Sequence, residues 1–263
     1  MPRTLMYHDV VTDDPDESGF PGASAAQYKL SQSTFRLHLE AISDAGVPPP
    51  AVISGKRRPR AKIDPKAWML TFDDGGVSAS TIVADELDRH GWKGHFFITG
   101  EMIGAPGFLT AEQLLDLHRR GHAIGSHSHT HPPLMSSCSP RQLEDEWARS
   151  LNVLQDILGE PVTLASVPGG FYSTAVARAA VKCGILDLFT SEPTPSIGRV
   201  GACRIYGRYA IVRTTTCGRA AAIVRGALLP LLSQSLIWNA KKPLKHGGGQ
   251  YYLSLRELVL SRK

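Results

Sequence analysis

Two adjacent carboxylates, Asp73 and Asp74, stand in the run Thr71-Phe72-Asp73-Asp74-Gly75-Gly76, immediately before a glycine pair. Neighbouring acids repel one another unless something cationic shares their site. A metal bound by one of them relieves that repulsion and leaves the other free to act as a base on an activated water. The same residues also suit a plain Asp-Asp-Gly turn that caps the next helix. Further along, Gly125-Ser126-His127-Ser128-His129-Thr130-His131 sets three imidazoles within five residues. Histidine is neutral near pH 7 and is the commonest ligand for zinc-like ions, whereas an apolar core has no use for three alternating histidines. Together with one Asp, two of them make a two-histidine-one-carboxylate set that leaves coordination positions for water.

Both clusters fall where strands are expected to end. Residues 5–11 read as a short buried strand, and Ser33 opens a helical pattern through Phe35, Leu39 and Ile42 that Gly46 closes. Residues 68–72, 95–98 and 123–126 read as strands, separated by helices over 81–89 and from Thr110 to Arg120, where Thr110 and Gln113 make a capping box. Ser139-Pro140 starts the longest helix, with Leu143, Trp147, Leu151 and Leu154 on one stripe and Gly159 at its end. Strands over 163–166, 186–190 and 209–212 follow, with a helix over 174–182 between the first two. Strand-then-helix units in series make an α/β protein, closed into a barrel or left as an open doubly wound sheet. In either case ligands gather at the carboxyl ends of the strands.

The 263 residues, 42% apolar and 20% charged, have an ordinary globular composition and enough length to bury a core without disulfides. Cys138, Cys183, Cys203 and Cys217 form no C-x-x-C pair, and reduced thiols are expected. No apolar segment with a cleavage site opens the chain, so the expected location is cytoplasmic, at most at the inner membrane surface. The net charge of +5 sits in residues 241–263, where six Lys and Arg face Glu257 alone. With the apolar stretch 220–238 before it, this tail could lie on an anionic membrane surface. Nucleic acid is not an expected partner, because no aromatic residues are interleaved with the charge.

These residues resemble a known family, the polysaccharide deacetylases with a NodB-type domain, carbohydrate esterase family four. Thr71-Phe72-Asp73-Asp74-Gly75 is similar to the family's first motif, and His127-Ser128-His129-Thr130-His131 to its second, H-S/T-x-x-H. Met6-Tyr7-His8 is similar to the strand that opens the domain in many members. The resemblance spans about residues 4–215, leaving 216–263 as a helical extension packed on or beside the catalytic domain. It implies an irregular (β/α) barrel of about seven strands. It further implies Asp74, His127 and His131 as ligands of a divalent metal, zinc first, with nickel, cobalt or iron also suited. Asp73 is implied as the general base and the backbone N–H of Gly169 as part of an oxyanion hole. The implied reaction is hydrolysis of an N-acetyl group on a sugar of a polysaccharide, glycan precursor or glycoconjugate.

Two departures from the family's pattern stand out. Its third motif, Arg-x-Pro-Tyr/Phe-Gly, is replaced by Ser166-Val167-Pro168-Gly169-Gly170, so Ser166 stands where an Arg usually orients the base. The tuning of Asp73 is then weaker or comes from elsewhere. The late histidine that protonates the leaving amine is also missing, since only His246 follows His131. His8, at the end of the first strand, is the expected substitute acid, with His129 as the runner-up. A non-catalytic glycan-binding or scaffolding protein and an amino-sugar deformylase are the alternative functions.

Overall fold

The computed structural model describes residues 2–53, 64 and 66–240. The basic run Lys56, Arg57, Arg58, Arg60 and Lys62, and the tail 241–263 with its lysines, His246 and Tyr251-Tyr252, lie outside the described residues.

The expected first strand is two pieces, β1 (Arg3–Tyr7) and β2 (Val10–Val11), interrupted at His8 and Asp9. Asp9 is buried, and its carboxylate accepts from Ser18 Oγ (2.7 Å) and Ser78 Oγ (3.0 Å), bonds that draw the chain out of the sheet. After α1 (Ala23–Ala26), β3 (Leu30–Ser31) pairs in parallel with β2 in a small separate sheet. Ser31, not Ser33, caps α2 (Gln32–Ser43), accepting from the Thr34 amide.

The alternation then runs as expected through β4 (Trp68–Phe72), a π-helical turn leading into α3 (Ala84–Arg89), β5 (His95–Ile98) and α4 (Ala111–Arg119). It continues with β6 (Ala123–Ser126), α5 (Pro140–Leu158), β7 (Leu164–Ser166), α6 (Thr174–Lys182) and β8 (Asp187–Phe189). Capping boxes at Thr110 with Gln113 and at Ser139 with Gln142 fix the starts of α4 and α5. An antiparallel hairpin of β9 (Ile197–Val200) and β10 (Cys203–Tyr206) follows. β9 is largely exposed, so it carries no alternation by which sequence could reveal it. The chain ends its described course with β11 (Tyr209–Ala210), α7 (Cys217–Arg225) and α8 (Leu228–Ala240). α7 lies inside the segment expected to be an extension, yet it buries Ala220, Ala221, Ile223 and Val224 in the core beside α2 and β1.

The main sheet has the order β11-β1-β4-β5-β6-β7-β8-β10-β9, all neighbours parallel except β10 and β9. β10 and β11 stand at opposite sides of this order, but only Gly207 and Arg208 separate them in sequence. Two residues span roughly 10 Å at most, so the sheet must curl until its two sides nearly meet. β10 and β11 are halves of one broken strand. With β1, β4, β5, β6, β7 and β8 they make seven staves, an irregular (β/α) barrel. Gly207 is obligatory at the seam, because a Cβ there would come within 2.4 Å of the Glu192 and Thr194 carbonyl oxygens.

Alternation along the strands sorts the core into two shells. Trp68, Leu70, Phe72, Phe96 and Ile98 pack outward with the helices, while Met69, Phe97, Leu164, Phe189 and Tyr206 fill the barrel. Thr71 shares the inward face of Met69, and Asp73 continues it past the end of β4.

Candidate active site

β4 delivers the acid pair to the carboxyl end of the barrel. Asp74 adopts φ 76°, a left-handed conformation that residues with a Cβ rarely take, and this brings its carboxylate back beside that of Asp73. Its Oδ1 lies 3.3 Å from His127 Nε2 and 3.6 Å from His131 Nε2, and Asp73 Oδ2 is 3.9 Å from His127 Nε2. The glycines that follow are needed for space, since a Cβ on Gly76 would overlap Asp9 Oδ1 at 1.9 Å.

β6 delivers the histidines, and the loop after it is held from below by Glu146 of α5. The buried Glu146 carboxylate accepts from the amides of His129 (2.9 Å) and Thr130 (2.8 Å) and from the Thr130 hydroxyl (2.6 Å). Ser128 (φ 65°) and His131 (φ 56°) are both left-handed, and the His131 amide donates to Ser128 Oγ (3.1 Å). The ring of His129 lies against Gly100, where a Cβ would come within 2.9 Å of its Nδ1, and His129 is not part of the Asp74, His127, His131 group. The runner-up acid therefore packs against Gly100, outside that group.

Ser166, at the end of β7, joins the two halves of the site. Its hydroxyl donates to Asp73 Oδ1 (3.1 Å) and lies 2.6 Å from His127 Nδ1, with the Ser166 carbonyl 3.2 Å from the same nitrogen. These contacts fix the ring with its Nε2 edge toward Asp74, and Nδ1 donation to Ser166 is the tautomer that would free Nε2 for a metal.

The charge missing from Ser166 comes from Arg208, which sequence reasoning did not find. The side chain of Arg208 is fully buried at the barrel seam and makes a two-pronged pair with Asp73, NH1 to Oδ1 (2.6 Å) and NH2 to Oδ2 (2.7 Å). It also donates to Thr71 Oγ1 (3.2 Å) and the Thr190 carbonyl (3.0 Å), and its guanidinium lies 5.7 Å from the centre of the Phe97 ring. Burial alone would raise the Asp73 carboxyl, but the charge of Arg208, then that of His127, and the Arg208 hydrogen bonds outweigh it and hold it below the ordinary range. Asp74 behaves alike: burial raises it, and bonding to His127 with the nearby imidazoles brings it well below the usual carboxylate range. Burial lowers His131 to about 4, against the opposing pull of Asp74, so its ring is neutral at pH 7 and ready to ligate.

His8 follows β1 directly and is close enough for its charge to bear on Asp73, Asp74 and His131. Its ring packs on Tyr28 at 4.5 Å between centroids, and its buried Nδ1 has no hydrogen-bond partner among the described residues. Phe20 packs on His131 at 4.8 Å, so the segment between β2 and β3 forms one wall of the site. That wall is pinned by Lys29, whose buried ammonium donates to the carbonyls of Pro15, Ser18 and Phe20. Gly169 sits in the tight turn Pro168–Gly170 that follows Ser166, at φ 60°. His38, His95 and His122 are buried away from this site. His95 and His122 accept from the Ile53 and Gly94 amides, and His38 bonds Tyr7 and the Thr215 carbonyl.

The donor atoms of Asp74, His127 and His131 lie within 4.8 Å of one another. Donors bound at about 2 Å to one ion stand roughly 3–3.5 Å apart, so small side-chain rotations complete such a set. The residues thus fit a divalent metal, and the Ser166 bond to His127 is the outer support such sites use. Ser166→Ala is expected to weaken metal affinity by about 10–100-fold while leaving the fold intact, as read by competition with a chelator. Unchanged affinity would show that the hydroxyl does not orient the imidazole.

The structure thus brings an acid pair and a histidine loop together at the carboxyl end of an irregular (β/α) barrel. Residues 60–186 match the family model for polysaccharide deacetylases. The chain is 28% identical over 211 residues to YxkH of Bacillus subtilis, covering 80% of this chain and 69% of that protein. It is 33% identical over 131 residues to the peptidoglycan-N-acetylglucosamine deacetylase PgdA of Listeria monocytogenes, covering 49% of this chain and 27% of that longer protein. In fold it is similar to the polysaccharide deacetylase BC0361 of Bacillus cereus, with a TM-score of 0.69, 20% identity, and coverage of 85% of this chain and 68% of that one. The Streptococcus pyogenes deacetylase PplD gives a TM-score of 0.63 at 18% identity over 82% of this chain and 94% of its own.

Proposed function

We propose that the protein is a metal-dependent hydrolase that removes an N-acetyl group from a sugar of a polysaccharide, glycan precursor or glycoconjugate. One observation carries this reading: Asp73 is held ionised by a buried arginine directly beside the Asp74, His127, His131 group. A protein that only held a metal or a glycan would gain nothing from a second, separately tuned carboxylate.

A divalent ion on Asp74, His127 and His131, zinc first and nickel, cobalt or iron next, supplies Lewis acidity toward the acyl oxygen and acidifies water. Asp73 takes the proton from the attacking water, and its bonds to Arg208 and Ser166 fix the carboxylate in place. Water oxygen adds to the acyl carbon, and the Gly169 N–H donates to the oxyanion that develops. His8 gives a proton to the amide nitrogen as the C–N bond breaks, releasing acetate and the free amine.

The test is acetate release from N-acetylated sugars, free, nucleotide-linked and lipid-linked, by protein stripped of metal and then reloaded. Release restored by metal supports the reading. Silence across the panel with metal stoichiometrically bound supports a glycan-binding role instead. For His8, His8→Gln is expected to lower kcat on amides by about 10²–10⁴ but to spare an acetyl ester with a good leaving group, which needs no proton donor. Equal losses on both substrates would remove His8 from the acid role.

A further inference from the structure

Five of the seven large hydrophobic residues exposed among the described residues belong to α8: Leu228 (72%), Leu229 (83%), Leu232 (55%), Leu236 (69%) and Ile237 (54%). At 3.6 residues per turn the four leucines fall within about a third of the helix circumference. No charged residue interrupts the helix. The opposite face is firmly docked. The Gln234 side chain bonds both the amide and the carbonyl of Ala210 in β11 (3.1 and 3.0 Å), and Ser235 Oγ donates to the Pro193 carbonyl (2.6 Å). The Trp238 ring lies against Gly170, where a Cβ would come within 2.9 Å of it. The leucines therefore project from an ordered helix on the rim of the active site, beside the turn that carries Gly169.

We propose that α8 docks the protein onto an anionic lipid bilayer, with its leucines in the acyl-headgroup boundary and the active site facing the headgroups. The charge on either side of the helix decides between a bilayer and a second copy of the chain. Arg225 precedes α8, and Lys241, Lys242 and Lys245 follow it in sequence. A second copy of the chain would bring the same excess of positive charge in this stretch of sequence, whereas anionic headgroups complement it. The helix has 13 residues and meets α7 at 98°, and α7 is packed into the core, so the bent pair is not available as a span and α8 lies along the bilayer surface.

The experiment is flotation of the full chain with vesicles of phosphatidylcholine alone, or of phosphatidylcholine with about a third phosphatidylglycerol, compared with the Leu229→Glu/Leu236→Glu double variant. The expected result is at least tenfold tighter binding to the anionic vesicles, weakened by salt, and at least a tenfold loss in the double variant. Both substituted positions are exposed, so thermal melting and release of acetate from soluble sugars should be unchanged, which keeps this test separate from that of the proposed reaction. Absence of flotation overturns the proposal, as does equal flotation of the double variant. A dimer by light scattering that the double variant converts to monomer, without vesicle binding, would assign the leucines to self-association.

Discussion

Arg208→Met is expected to lower stability near neutral pH by about 3–5 kcal/mol and to move the acid limb of kcat/KM toward higher pH. The cost arises because the substitution strands Asp73 as a buried charge without its partner. The sign follows from linkage. In the natural protein the Asp73 carboxyl lies below its ordinary range, so it contributes stability above its unfolded value and loses that contribution as pH falls through the folded one. Without Arg208, burial dominates and the carboxyl rises above its ordinary range. Ionising Asp73 then destabilises the fold, and the variant loses stability as pH climbs through the raised value. Denaturant unfolding of the two proteins across pH should give curves that converge on acidification and separate toward neutrality. Parallel curves would show that Arg208 does not govern Asp73. Arg208→Lys keeps the charge but not the two-pronged geometry, and should fall between the two.

The second large effect separates the two adjacent acids. Asp73→Asn should lower kcat by about 10²–10⁴ while the protein still binds one metal per chain. Asp74→Asn should lose metal affinity beyond the 10–100-fold typical of a missing outer partner, with activity lost in proportion. Metal content and turnover measured on the same samples decide the matter. Turnover persisting in Asp73→Asn would show that another group takes the proton from water. Because Asp73→Asn also leaves Arg208 unpaired, the Asp73→Asn/Arg208→Met double variant should be more stable than the two single losses would add up to.

Much of this arrangement was readable from local pattern. β4, β5 and β6 match their expected bounds, and the helices after β5 and β6 start at visible capping boxes. The acid pair and the histidine loop announce themselves because chemistry needs unusual residue types at short spacing. What stayed hidden depends on contacts across the fold. Arg208 is a single residue 135 positions from Asp73, and an isolated arginine before a two-residue strand carries no sequence signal. The course of the loop that carries His129 depends on Glu146, a residue that reads as an ordinary exposed acid of an amphipathic helix. The break between β1 and β2 depends in part on Ser78, 69 positions from Asp9.

The position of Arg208 at the barrel seam also sets an order of assembly. The polypeptide emerges from synthesis with Asp73, Asp74, His127, His131 and Ser166 all in place before Arg208 has been added. A nascent chain that has reached β8 thus owns a complete set of metal donors but no guanidinium to keep its base charged. Only when the last stave slides between β8 and β1 does Asp73 acquire its counter-ion. Closure of the barrel and neutralisation of the buried Asp73 are therefore one event, since the residue that bridges the seam is also the counter-ion.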